Sequence, residues 1–175
     1  MAGEHQLTLI TGGARSGKSR YALTLARDYG RRAFLATGVA TDEEMQRRIR
    51  RHQAERGPGW DLLEEPQDAA AVIRGEGANY DLILLDCLTF WVSNVLLSQG
   101  ADHLQSRLSD LIQAMNERKC SIVVVSNEVG LGVVPDNDLG RQFRDQAGLA
   151  NQMVAAIADR VIMMIAGIPM EVKKI

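Results

Sequence analysis

Eight consecutive residues, Gly12-Gly13-Ala14-Arg15-Ser16-Gly17-Lys18-Ser19, follow the spacing G-x-x-x-x-G-K-S. Each residue type has a use in holding a triphosphate. Glycines let the backbone curl until successive N–H groups point at phosphate oxygens. Lys18 is placed to reach the β- and γ-phosphates, and the Ser19 hydroxyl to bind Mg²⁺. The apolar run Leu7–Ile10 precedes the loop and the helix-forming stretch Arg20–Ala26 follows it. A helix starting near Lys18 adds its positive N-terminal end to the site. A plain glycine-rich turn would explain the loop but not both flanks. The chain is therefore expected to bind a nucleoside triphosphate.

Further chemistry-bearing residues sit after other apolar runs. Leu82–Leu85 ends in Asp86, a Walker B pattern that suits a carboxylate holding Mg²⁺, through water. A turn aspartate is the competing explanation, and the phosphate loop tips the balance toward the metal. Ala33–Ala36 ends in Thr37-Gly38, at the binding edge and in place to contact nucleotide phosphates or sugar. Thr41 or Asp42 then caps a helix, with Glu44 completing a capping box if Thr41 is the cap. That helix, 42–56, carries Arg47, Arg48, Arg50, Arg51 and Arg56 together with His52, beside an apolar stripe of Met45 and Ile49. A solvated basic face competes there with anion binding. Positive neighbours favour neutral imidazole, which is a nucleophile toward phosphorus. After Ile122–Val125 comes Ser126–Pro135, long and apolar for a plain connection. Its Glu128 is either a base toward a substrate hydroxyl or a loop anchor. Arg141, Arg144 and Asp145 form either a surface ion pair or a phosphate or subunit contact.

These residues need a scaffold that brings strand ends together. Strands are expected at Leu7–Ile10, Ala33–Ala36, Leu82–Leu85, Ile122–Val125 and Val161–Ile165, with a last one at Met170–Lys173. Helices are expected over Lys18–Tyr29, 42–56, Asp68–Arg74, Leu88–Ser98, Asp102–Lys119 and Asp138–Asp159, the last weakened by Gly140 and Gly148. The alternation implies an α/β fold: a mostly parallel sheet, helices on both faces, and an antiparallel C-terminal edge. Ligands of such sheets sit at the carboxyl ends of strands, where every motif above falls.

At 175 residues the chain reads as a single nucleotide-binding domain, 1–175. A net charge of −2 argues against a nucleic-acid partner. Cys87 and Cys120 lie in or beside apolar runs and read as core residues in a reducing cytosol. No signal peptide or membrane span is legible, so the cytoplasm is the expected location.

Together, GGARSGKS, ATGVATDEEMQRRIRRHQAER, LILLDCLTFWVSN, VSNEVGLGVVPDN, GRQFRDQAGLANQ and the C-terminal AGIPMEVK make the chain resemble a known family from Leu7 to Lys173. It is the bifunctional adenosylcobinamide kinase/adenosylcobinamide-phosphate guanylyltransferase family of cobalamin assembly. The resemblance implies a RecA-like P-loop NTPase fold, homotrimers, and two reactions. The γ-phosphate of ATP or GTP passes to the aminopropanol hydroxyl of adenosylcobinamide. GMP from GTP then joins that phosphate, giving adenosylcobinamide-GDP and pyrophosphate. It further implies a guanylylated histidine, here His52. Some members carry two adjacent histidines, whereas Arg51 precedes His52 in this chain. Family nucleotide contacts map onto the phosphate loop, Thr37, Gly38, Val39, Gln53, Ala54, Glu55, Arg56, Glu64 and Asp86. Lys18 and His52 are thus the expected catalytic residues, and Ser19 and Asp86 the expected Mg²⁺ ligands. Two rivals remain: a small-molecule kinase without guanylyl transfer, and a nucleotide-gated binding module whose loops grip a partner.

Overall fold

A computed structural model describes residues 5–39, 43, 47 and 56–174 of the chain. Strand β1 (Leu7–Gly12) leads through the glycine loop into helix α1 (Lys18–Leu25) and a single 3-10 turn (Ala26–Asp28). Strands β2 (Arg32–Ala36) and β3 (Asp61–Glu64) follow, then α2 (Ala69–Glu76), β4 (Leu82–Asp86), α3 (Leu88–Gln99) and α4 (Ala101–Asn116). Strand β5 (Ser121–Val125), α5 (Asp138–Ile157) and the hairpin β6 (Arg160–Ile165) and β7 (Ile168–Lys174) complete the chain. Of the helix expected over 42–56, only Glu43, Arg47 and Arg56 are among the described residues, and each is helical.

The strands form one seven-stranded sheet in the order β3-β2-β4-β5-β1-β6-β7. Every pairing is parallel except β6 with β7, the expected antiparallel edge. Strands covered on both faces need near-continuous apolar sequence, and β4 supplies it. Ile83 and Leu85 pack on one side with Trp91, Leu104 and Val154, while Leu82 and Leu84 pack on the other with Ala22 and Ala26. Each fully buried leucine contributes about 1.5–3 kcal/mol. Among the described helices, α1 therefore covers one face and α2 to α5 supply the other. No described helix is long and apolar enough to cross a membrane.

Three details depart from the sequence expectations. Strand β3 was not anticipated; it is a four-residue edge with little burial. Helix α1 ends at Leu25 and tightens into a 3-10 turn instead of running to Tyr29, and α4 stops at Asn116 instead of Lys119. Gly140 does not interrupt α5. A Cβ there would lie 2.7 Å from Cβ of Pro135, so the small residue lets the preceding loop pack on the first turn. The Asn137 side chain caps that turn, accepting from the Gly140 N–H at 2.7 Å.

Sheet register sets up the site. Ile10 pairs with Val125, Val125 with Asp86, Asp86 with Ala36, and Ala36 with Glu64. The carboxyl ends of five parallel strands thus lie along one edge.

Candidate active site

The glycine loop is held by backbone geometry that other residues would strain. Gly12 has φ +145°, and a Cβ there would lie 2.5 Å from the Met164 carbonyl oxygen of neighbouring β6. Gly17, at φ +96°, turns the chain into α1. Between them Gly13, Ala14 and Arg15 are exposed while Ser16 is buried. The Gly167 N–H donates to the Ser16 carbonyl at 3.0 Å, tying the β6–β7 turn to the loop.

Lys18 is buried and lies back across this loop. Its Nζ donates to the carbonyl oxygens of Gly12 at 3.0 Å and Gly13 at 2.6 Å. Burial pulls its ammonium below the usual lysine value, with the Cys87 and Asp86 side chains opposing. The next residue, Ser19, donates through Oγ to Oδ2 of Asp86 at 3.1 Å. The hydroxyl and carboxylate expected to share a cation are therefore adjacent, although 67 positions apart in the chain. Both are hard oxygen donors, the kind Mg²⁺ takes alongside phosphate oxygens and water. Among the described residues no group of three or more His, Cys, Asp or Glu side chains gathers as a separate metal site.

Farther along the edge, the Arg56 guanidinium sits 3.9 Å from the Phe34 ring centroid. Burial lowers its pKa, and the carboxylates of Asp86 and Glu64 oppose that. Arg56, Glu64 and Asp86 thus form one charged group at the ends of β2, β3 and β4. Trp60 meets Phe34 edge-on at 6.1 Å, with Arg32 5.1 Å above the Trp60 ring. His52, Gln53, Ala54 and Glu55 lie outside the described residues, as do Arg48, Arg50 and Arg51.

Thr37 turns inward. Its hydroxyl donates to the Cys87 carbonyl at 2.7 Å and accepts from the Cys87 N–H at 2.9 Å. Its own N–H donates to the Asp86 carbonyl at 3.3 Å, and its carbonyl accepts from Nδ2 of Asn94 at 2.7 Å. Every polar group of Thr37 therefore has a protein partner, and the residue fixes the turn that presents Gly38 and exposed Val39. A second network continues from there. Asn127 donates to Oγ1 of Thr89 at 2.7 Å. Asn151 donates to the Asn127 carbonyl at 3.1 Å and accepts from the Ser126 hydroxyl at 2.5 Å. Thr89, Asn94, Asn127 and Asn151 escaped the sequence reading. Only Asn151 carries a readable signal, as a polar residue among Ala147, Ala150 and Val154 on the buried stripe of α5.

Glu128 begins the loop after β5, and its N–H donates to the Gly12 carbonyl at 3.0 Å. Beyond it Leu131, Val133 and Val134 are exposed. Arg141 pairs locally with Asp138 and with the Pro135 carbonyl, and Arg144 with Asp145.

The chain is similar to known proteins in both sequence and fold. The sequence profile of the cobinamide kinase/cobinamide phosphate guanyltransferase family matches residues 8–172. The bifunctional adenosylcobalamin biosynthesis protein CobP of Pseudomonas aeruginosa is 44% identical over 94% of this chain and 96% of its own length. The corresponding CobU of Escherichia coli K12 is 36% identical over 95% of this chain and 99% of its own. In three dimensions, the type III secretion ATPase EscN superposes with a TM-score of 0.62 at 13% identity, over 93% of this chain and 42% of its own. A likeness at that identity concerns the fold alone, a RecA-like P-loop NTPase. With the family profile spanning nearly its whole length and both relatives matching end to end, the chain belongs to the cobinamide kinase/cobinamide phosphate guanyltransferase family.

Proposed function

We propose that this protein phosphorylates adenosylcobinamide with ATP or GTP and then transfers GMP from GTP to the product. The second step runs through a guanylyl-histidine at His52 and gives adenosylcobinamide-GDP and pyrophosphate. The observation that carries this reading is the contact of Ser19 with Asp86 beside Lys18, in a chain of this family. The phosphate loop Gly12–Ser19 cradles the triphosphate with its N–H groups, and Lys18 exchanges its two carbonyl partners for phosphate oxygens. Gly38 and Val39 meet the nucleotide, with Thr37 acting from behind. Gln53, Ala54, Glu55, Arg56 and Glu64 complete its binding set. Ser19 and Asp86 would hold Mg²⁺, which neutralises charge on the phosphates when bound.

The two reactions demand different things of the protein. Phosphoryl transfer rests on position and charge. Guanylyl transfer is divided in two: the His52 imidazole forms a bond to the α-phosphorus as pyrophosphate leaves, and the corrinoid phosphate then displaces the histidine. Lys18 and Arg56 stabilise charge on the departing pyrophosphate. Residues 1–175 would act as one nucleotide-binding domain, in the cytoplasm and as a homotrimer; the family resemblance supports this.

The test uses labelled GTP. Label in the α-phosphate should remain on the protein as an acid-labile, base-stable adduct, whereas γ-label should not. His52→Ala should abolish the adduct. Equal labelling of His52→Ala and parent would remove His52 as the nucleophile.

A further inference from the structure

We propose that Glu128 is the general base of the kinase half-reaction, accepting the proton of the acceptor hydroxyl as it attacks the γ-phosphorus. The inference rests on the function proposed above and assigns a group that reading leaves open.

Position is the first argument. The Gly12 carbonyl oxygen accepts from Nζ of Lys18 and from the backbone N–H of Glu128, each at 3.0 Å. The ammonium and the Glu128 nitrogen therefore cannot be farther apart than twice that distance. Lys18 is the residue that reaches the outer phosphates in such loops, so the Glu128 side chain starts beside the transferable phosphoryl group. Glu64 starts farther off: neighbouring strands are spaced about 4.8 Å apart, so β3, which bears it, lies ~19 Å from β1. Asp86 is engaged by Ser19.

Restraint is the second argument. Asn127 is fixed on both sides, its amide on Thr89 and its carbonyl on Asn151, which sets the backbone immediately before Glu128. The Glu128 carboxylate is only partly exposed, and its contact to the Gly130 N–H is 3.4 Å. That is too long for a firm hydrogen bond, so anchoring the loop does not account for the residue. The exposed apolar residues Leu131, Val133 and Val134 continue from it, leaving the carboxylate at the border between the phosphate loop and an apolar surface.

The balance is simple. The acceptor oxygen forms a bond to the γ-phosphorus while the bond from that phosphorus to the β,γ-bridging oxygen breaks. The electron pair stays on the nucleoside diphosphate, and the hydroxyl proton passes to the Glu128 carboxylate. Guanylyl transfer has no such need, because its acceptor is a phosphate monoester already anionic near neutral pH. One substitution should therefore separate the two activities.

The experiment measures both activities in parent, Glu128→Gln and Glu128→Asp. Phosphorylation is followed with γ-labelled ATP and adenosylcobinamide, and guanylyl transfer with GTP and adenosylcobinamide phosphate supplied directly. Positioned bases contribute about 10²–10⁴-fold. Glu128→Gln should thus lose at least ~100-fold in kinase kcat, with KM for both substrates and the guanylyl transfer rate each within about threefold of parent. Glu128→Asp should recover part of the loss. Kinase kcat within about threefold of parent overturns the inference. So does a parallel fall of both activities, which would mark a structural role. A parent that phosphorylates no corrinoid overturns the proposed function itself, and a competent parent with an equally competent Glu128→Gln overturns the inference alone.

Discussion

Replacing Gly12 by alanine tests the packing of the phosphate loop apart from its chemistry. The added Cβ would meet the Met164 carbonyl oxygen at 2.5 Å and Oγ of Ser16 at 2.9 Å. Ser16 can rotate, but Met164 cannot easily retreat. It pairs with Gly12 in the β1–β6 ladder, and the Gly167 N–H pins the adjoining turn to the loop. Holding an L-residue at φ +145° costs about 1–3 kcal/mol of backbone strain. Forcing a methyl into filled space costs about 1–3 kcal/mol more. The sum, about 2–6 kcal/mol, is a large part of the 5–15 kcal/mol that usually holds a domain together. For a chain of this size each kcal/mol moves Tm by about 2–4 °C, so Gly12→Ala should melt roughly 8–16 °C below parent at mid-range. Gly13 is the control: its Cβ would meet nothing within 4 Å. Gly13→Ala should remain within about 1 kcal/mol of parent. Thermal melts by circular dichroism read both. A Gly12→Ala protein melting within about 2 °C of parent, or a Gly13→Ala protein as unstable as Gly12→Ala, refutes the steric argument.

Two further outcomes follow from buried groups. Burial pushes the Cys87 and Cys120 thiols up to about 11, leaving ~0.1% thiolate at pH 8. A disulfide reagent should titrate both cysteines only after denaturation; rapid reaction of native protein below pH 9 would contradict this burial. Asn151→Ala removes the partner of the Ser126 hydroxyl and the Asn127 carbonyl. Two buried polar groups left unpaired should cost about 1–3 kcal/mol each. The readout is the urea midpoint, and an unchanged midpoint would show that water or a neighbour replaces the amide.

What could be read in advance follows from the range of the interactions. The phosphate loop is contiguous, and Leu82–Asp86 announces itself because a strand covered on both faces has no room for polar residues. Five parallel strands were legible for the same reason, which does not extend to the exposed antiparallel edge β7. Strand β3 was not: Asp61-Leu62-Leu63-Glu64 has only four residues, a charge at each end, and just Leu63 partly buried. Thr37 shows a different limit. Its place after β2 suggested a ligand contact, and no local pattern says that its hydroxyl is claimed by Cys87, 50 positions away. The Asn127–Thr89 and Asn151–Ser126 pairs are hidden likewise, being products of strand order and not of spacing.

That strand order also bears on how one nucleotide could serve two reactions. Lys18 and Glu128 meet at Gly12, where β1 and β5 end, whereas Arg56 and Glu64 gather with Asp86 at the ends of β2, β3 and β4. The two groups stand on either side of the Ser19–Asp86 contact. On the proposed function, the acceptor hydroxyl approaches from the Glu128 side, and the Arg56, Glu64 and Asp86 group faces the other end of the nucleotide. A triphosphate held between them would offer its inner phosphorus to one and its outer phosphorus to the other. No regripping of the nucleotide is then required, and the two chemistries need share only Lys18, Ser19 and Asp86.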